Sequence, residues 1–162
     1  MSHPTAAVLH HTCFIVRDLE SAAQRLTDSL GVGPWNIWTI VPAESKLRGK
    51  VTPMSFRVAL AAAGGGNFEL ITPHSGRSAL DEHLEAFGEG FHHICMAYPS
   101  YAEAQAAKQE LIRQGRELIQ EADAGEVFTF SYFRFPEIGA AVELLFLDGS
   151  QLPAPERVIA GG

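Results

Sequence analysis

The chain repeats itself. LHHTCFIV begins at Leu9 and FHHICMAY at Phe91, which sets His11 and His93 82 residues apart. Both segments run through an apolar residue, a His-His pair, a small or branched residue, a cysteine and further apolar residues, the pattern of a short buried strand. A helical pattern follows each. Asp18 is placed to cap a run from Leu19 to Leu30 that Gly31 ends, and Ser100 a run to Gln114 that Gly115 ends. Three strand-like runs come next in each half: WNIWTIV, MSFRVALA and NFELIT, then RELIQ, EVFTFSYFRF and AAVELLFL. The triple glycine at Gly64 to Gly66 reads as the hairpin turn before the third run. The last strands end alike, with Glu69-Leu70-Ile71 and Glu143-Leu144-Leu145. Landmarks recurring in one order at offsets of 82, 84 and 74 residues predict a duplicated βαβββ unit.

The expected fold is therefore α+β: two tandem βαβββ modules forming a curved mixed sheet around a cup. The expected division is module one at residues 8–73, a linker with the short helix SALDEHLEAF at 74–90, module two at 91–148, and a loose Pro- and Gly-rich tail at 149–162.

Composition narrows the function classes. With 12 Lys and Arg against 19 Asp and Glu, the chain carries a net charge of −7 and shows no phosphate-binding face, so nucleic acid is not an expected partner. The one dense basic stretch, Lys46 to Lys50, reads as a solvated loop, with an anionic substrate tail as the minority alternative. No apolar run approaches the ~20 residues that span a bilayer, and MSHPTAAV lacks the basic and apolar regions of a secretion signal. A cytoplasmic protein without membrane contact is expected. Two cysteines make no disulfide framework; Cys13 and Cys95, each in an apolar strand, are expected to be buried free thiols.

The repeat points to a metal. Side chains alternate across a strand, so His11 shares a face with Cys13, and His93 with Cys95. Glu69 and Glu143 stand in the middle of apolar strands, where an ionised carboxylate is costly unless paired, protonated or bound to a cation. Two halves related by a pseudo-twofold would bring His11, Glu69, His93 and Glu143 to one point. Two imidazoles and two carboxylates suit one divalent ion such as Zn, Ni, Co, Mn or Fe, with open positions for water or substrate. The competing reading gives each histidine a satisfied place in the core and each glutamate an arginine partner, Arg57 or Arg134. Strand alternation sets His10 and His92 on the opposite face, in structural roles, and leaves His74 and His83 exposed in the linker.

On LHHTCFIVRDL, LGVGPW, FELITP, GEGFHHICM and AAVELL, the chain resembles the vicinal oxygen chelate superfamily of glyoxalases, bleomycin-resistance proteins and dioxygenases. The linker SGRSALDEHLEAFGEGFHH is most similar to the methylmalonyl-CoA epimerase-like branch. The resemblance implies a paired βαβββ fold with a cation between the modules. It also implies that the second histidine of each pair is a ligand, that Glu69 stands where the family has Glu or Gln, and that Glu143 matches the C-terminal Glu. A homodimer is expected on the same basis. The chain departs from the epimerases at RGKVTPMSF, Arg48 to Phe56, where their Pro-Glu-X-Gly-Val turn carries a catalytic Glu and this chain has none.

The expected chemistry is metal-assisted α-proton abstraction from a small carbonyl substrate that presents two vicinal oxygens, as in an epimerase, isomerase or lyase. Glu143 or Glu69 would be the base. The substrate pocket is expected to draw on Phe130 and Tyr132 from one strand face, with Trp35 and Trp38 either stacking on substrate or packing in the core. The aromatic wall suggests a partly apolar substrate. Two rivals differ in class: a non-catalytic binding or sequestration protein, and an Fe(II)-dependent dioxygenase.

Overall fold

The two His-His segments become the two central strands of a single sheet. In the computed structural model, which describes residues 7–162, β1 (Val8–Ile15) and β7 (Gly90–Ala97) pair antiparallel. Residues 1–6, which carry most of MSHPTAAV, lie outside the described residues. Each central strand is flanked by the last strand of its own half in parallel: β1 by β6 (Gly66–Gly76), and β7 by β10 (Ala140–Leu147). Outward from β6 come β5 (Met54–Ala63) and β2 (Trp35–Ile40); outward from β10 come β9 (Phe128–Phe135) and β8 (Leu118–Asp123). The order is the same on both sides of the β1–β7 seam, so the duplication read from the sequence is a pseudo-twofold of the sheet.

Helices cover one face. α1 (Leu19–Leu30) begins where the Asp18 carboxylate accepts the Ser21 N–H at 3.0 Å and ends at Gly31, whose φ of 69° suits glycine. Leu19 and Ala23 pack on Trp35, Ile37, Ala59 and Leu70. α3 (Tyr101–Arg113), capped by Ser100, sets Ala107 on Phe133, Val142 and Leu144. The other, concave face is filled at one end by a third cluster that includes Cys13, Ile71, Cys95, Phe130 and Leu145, with α2 (Ala79–Phe87) closing it through Leu80 and Leu84. Strand alternation thus sorts each last strand: Leu70 and Leu144 face helices, while Glu69 and Glu143 face the cup.

Three segments differ from the sequence reading. The tail, expected to be loose, supplies β11 (Arg157–Ile159), which pairs antiparallel with β2. Its seat is tight: a Cβ on Gly33 would stand 2.8 Å from Gly161 Cα, so neither backbone leaves room for a side chain. The basic loop becomes the hairpin β3 (Ser45–Leu47) and β4 (Lys50–Val51), and β3 pairs with β8 of the other half. Arg48 there is tied to Glu82 and Glu117, so its charge is already matched. Finally, β6 runs to Gly76, into the segment read as linker. Among the described residues no helix is long and apolar enough to cross a membrane.

Candidate metal centre

Register across four strands builds the site. In one row of Cα partners, Glu69, Cys13 and His93 stand side by side on β6, β1 and β7; in the next, His11, Cys95 and Glu143 do so on β1, β7 and β10. The twofold exchanges the rows. A cysteine sits in the middle of each, fully buried, and its small side chain leaves space between histidine and glutamate.

The four side chains converge. His11 Nε2 lies 3.2 Å from His93 Nε2, 3.5 Å from Glu69 Oε1 and 3.3 Å from Glu143 Oε2. His93 Nε2 lies 2.9 Å from Glu143 Oε2 and 3.9 Å from Glu69 Oε1. Ligands at metal–nitrogen bonds of ~2.1 Å stand about 3.0–3.4 Å apart, the scale of these separations. Glu143 Oε2 is buried against the two imidazole nitrogens with neither aligned on it as a hydrogen-bond donor, an arrangement costly for a carboxylate oxygen unless a protonated imidazole or a bound cation offsets it. Donor chemistry, spacing and burial fit a divalent cation. The alternative arginine partners are elsewhere: Arg57 pairs with Glu20, and Arg134 with Glu117.

The two carboxylates are not equivalent. Burial works to raise both. At Glu143 the His11 and His93 imidazoles outweigh it and hold the carboxyl below its ordinary range; at Glu69 burial prevails over His11, and the Glu143 charge adds to it, so the carboxyl is raised. Burial would lower His11, but Glu69 and Glu143 together raise it to about 9. Burial first, then the carboxylates, pushes the Cys13 and Cys95 thiols and the Tyr132 phenol up, so all three stay neutral.

His10 and His92 do not face away from the site. The β1–β7 ladder slips by one residue between Leu9 and His11, and again opposite Cys13 and Phe14, leaving His10 and His92 as the extra residues of two symmetric bulges. A bulge breaks side-chain alternation. His10 Nδ1 therefore reaches His11 Nδ1 at 2.8 Å, and His92 Nδ1 reaches His93 Nδ1 at 2.7 Å. Burial, then the neighbouring imidazole, lowers both His10 and His92, so each stays neutral and can accept the Nδ1 proton of its neighbour in the tautomer that places it there. That bond leaves Nε2 of His11 and His93 free to ligate, the outer support that metal-bound histidines use. His83, expected to be exposed, is half-buried with its ring 5.0 Å from that of His92; His74 is exposed.

A cavity of ≈230 Å³ opens onto the cluster, lined by His11, Glu69 and Glu143 together with Trp38 and Tyr132. Two residues expected in its wall are not there. Trp35 is fully buried on the α1 side, where its Nε1 donates to Thr27 Oγ1 at 3.1 Å: β2 alternation gives Trp38 to the cup and Trp35 to the core. Phe130 packs one layer behind, against Phe56 and Tyr132. Sequence reasoning missed Phe56 and Val58, two residues apart on β5, and Leu145, two residues beyond Glu143 on β10, whose period-two spacing was a usable signal, and the tail residues Gln151 to Pro153, for which no local signal existed.

Fold and cluster together define a paired βαβββ protein with a two-histidine, two-glutamate cup. The sequence profile of the Glyoxalase/Bleomycin resistance protein/Dioxygenase superfamily matches residues 10–132, and the chain belongs to that superfamily. No curated protein matches the chain. Among solved structures it is similar to a hypothetical protein from Bacillus halodurans, with 18% identity over 92% of this chain and 100% of that one and a TM-score of 0.65. It is also similar to methylmalonyl-CoA epimerase from Mycobacterium tuberculosis (21% identity, 90% and 93% covered, TM-score 0.60). A triple mutant of 4-hydroxymandelate synthase from Streptomyces coelicolor shares the fold at 15% identity and a TM-score of 0.54; this chain covers 51% of that protein, with 92% of its own length matched.

Proposed function

We propose that the chain is a divalent-metal-dependent enzyme that binds a carbonyl compound through two neighbouring oxygens and moves a proton at the carbon beside the carbonyl. His11, His93, Glu69 and Glu143 would hold the ion, and the bound cation would supply Lewis-acid polarisation of the carbonyl. The observation that carries the reading is geometric: two imidazoles and two carboxylates converge where the cavity opens. Glu143, 3.3 and 2.9 Å from the two imidazole nitrogens, is the fixed anchor. Glu69 stands farther from them, at 3.5 and 3.9 Å, and is the more loosely held carboxylate, free to act as a base. It would release its ligand position to substrate and take the α-proton. The apolar wall excludes water from that step.

The test pairs metal analysis of tag-free protein by mass spectrometry with NMR of candidate 2-oxo and 2-hydroxyketone compounds in deuterated water. Stoichiometric metal and α-deuterium incorporation are expected, with incorporation lost and metal retained in Glu69→Gln. Unchanged exchange in that variant refutes the assigned base.

One observation favours a second reading. His11, His93 and Glu143 bring their donor atoms within 4.8 Å of one another, a two-histidine, one-carboxylate set of the kind iron oxygenases use. Oxygen consumption by the Fe(II)-loaded protein with substrate distinguishes it.

A further inference from the structure

The cavity at the cluster carries information about what enters it. Eleven of its seventeen lining residues are apolar, among them Trp38, Val58, Leu60 and Leu145. The polar remainder is His10, His11, Glu69, Tyr132, Glu143 and Gln151, with no lysine or arginine. The cations of the chain are committed elsewhere. Of its twelve Lys and Arg residues, nine lie within ion-pair distance of a carboxylate. The other three, Arg17, Arg25 and Lys50, do not line the cavity.

The tail closes the cavity on one side. Gln151, Leu152 and Pro153 form part of the wall. They are fixed there because Trp38 Nε1 donates to the Pro153 carbonyl at 3.0 Å, and because Glu156 is held twice on β2. Its N–H donates to the Ile37 carbonyl at 2.9 Å, and its carboxylate accepts from Thr39 N and Oγ1, each at 3.0 Å. The strap adds apolar surface and no positive charge. A nucleotide-bearing thioester would bring several phosphate charges to a protein of net charge −7 with no cationic cradle at this opening, whereas a hydrocarbon group gains from burial against the wall.

We propose that the substrate is an uncharged carbonyl compound carrying a compact hydrocarbon group, and not a coenzyme A or other phosphate-bearing conjugate. The proposal deepens the reading of the cup as a carbonyl-binding metal site and rests on it. Leu152, 40% exposed at the strap, is the specificity-determining position that can be changed without disturbing the core.

Calorimetric titration of the zinc-loaded protein with hydroxyacetone, 2-hydroxyacetophenone and free coenzyme A tests it. The aromatic ketone should bind on the order of tenfold or more tighter than hydroxyacetone, and coenzyme A should not displace it. Leu152→Lys should weaken the aromatic ketone and improve coenzyme A. Equal ketone affinities, no binding of either ketone, or a tighter coenzyme A complex overturns the proposal. Failure of the reaction itself is read separately: the expected ranking without α-deuterium exchange refutes the proton abstraction and leaves the substrate class standing, and exchange without the ranking does the reverse.

Discussion

Glu69 and Glu143 occupy equivalent places in the two halves, yet their surroundings differ. Each lies in the last strand of its unit, in register with a buried cysteine, facing the cup. Glu143 has both imidazoles within 3.3 Å and is held ionised; Glu69 has them at 3.5 and 3.9 Å, and burial prevails over their pull. The duplication supplies two carboxylates in symmetric positions, and their neighbours set them apart, most of all His93, at 2.9 Å from Glu143 and 3.9 Å from Glu69. Under the proposed function one repeated residue would supply both a ligand and a base.

The sharpest way to break that comparison is to neutralise each carboxylate in turn. Glu69→Gln should lower α-proton exchange by about 10²–10⁴ with metal retained, whereas Glu143→Gln should lose metal and activity together; identical behaviour of the two variants by metal analysis and NMR would erase the distinction. A smaller effect concerns pH. His11 in the metal-free protein is raised from 6.5 to about 9 by the two carboxylates, so the native state binds that proton more tightly than the unfolded chain. The resulting stability is fully present below pH 6.5 and is lost as pH rises through 9, on the order of 3 kcal/mol. Thermal unfolding of chelator-treated protein should show the decline, and Glu69→Gln should flatten it.

The histidine pairs offer a second contrast between the halves. His92→Ala removes a fully enclosed acceptor from His93 Nδ1 and should weaken metal binding by about 10–100-fold in competition with a chromogenic chelator. His10→Ala should cost less, because His10 is only half-buried and water can take its place. A conservative His92→Asn change that restores affinity would mark the hydrogen bond, and not packing, as the cause. The smallest effects are expected at the helix caps: Asp18→Ala and Ser100→Ala should each cost about 1 kcal/mol in denaturant unfolding, equally in the two halves.

Much of this molecule was legible in its sequence. The His-His-x-Cys echo, the repeated Glu-Leu-Ile and Glu-Leu-Leu strands, and the capped helices fix the two units, because hydrophobic period and turn chemistry are local properties of the chain. The same alternation that hides Leu70 and Leu144 under helices turns Glu69 and Glu143 toward one cup. Alternation fails as a guide where the ladder slips. Alternation assigns His10 and His92 to the far face, and only inter-strand register, which depends on the partner strand, shows the two bulges that bring them to His11 and His93. The tail is a similar case: its proline- and glycine-rich composition carries no strand signal, and its order comes from Trp38, Thr39 and the β2 edge more than a hundred residues earlier in the chain. The unequal surroundings of the two glutamates belong to the same class, since they follow from distances between four strands. Sequence determines which residues face inward; the packed sheet alone decides how far apart they stand, and electrostatics in a buried site responds to that distance.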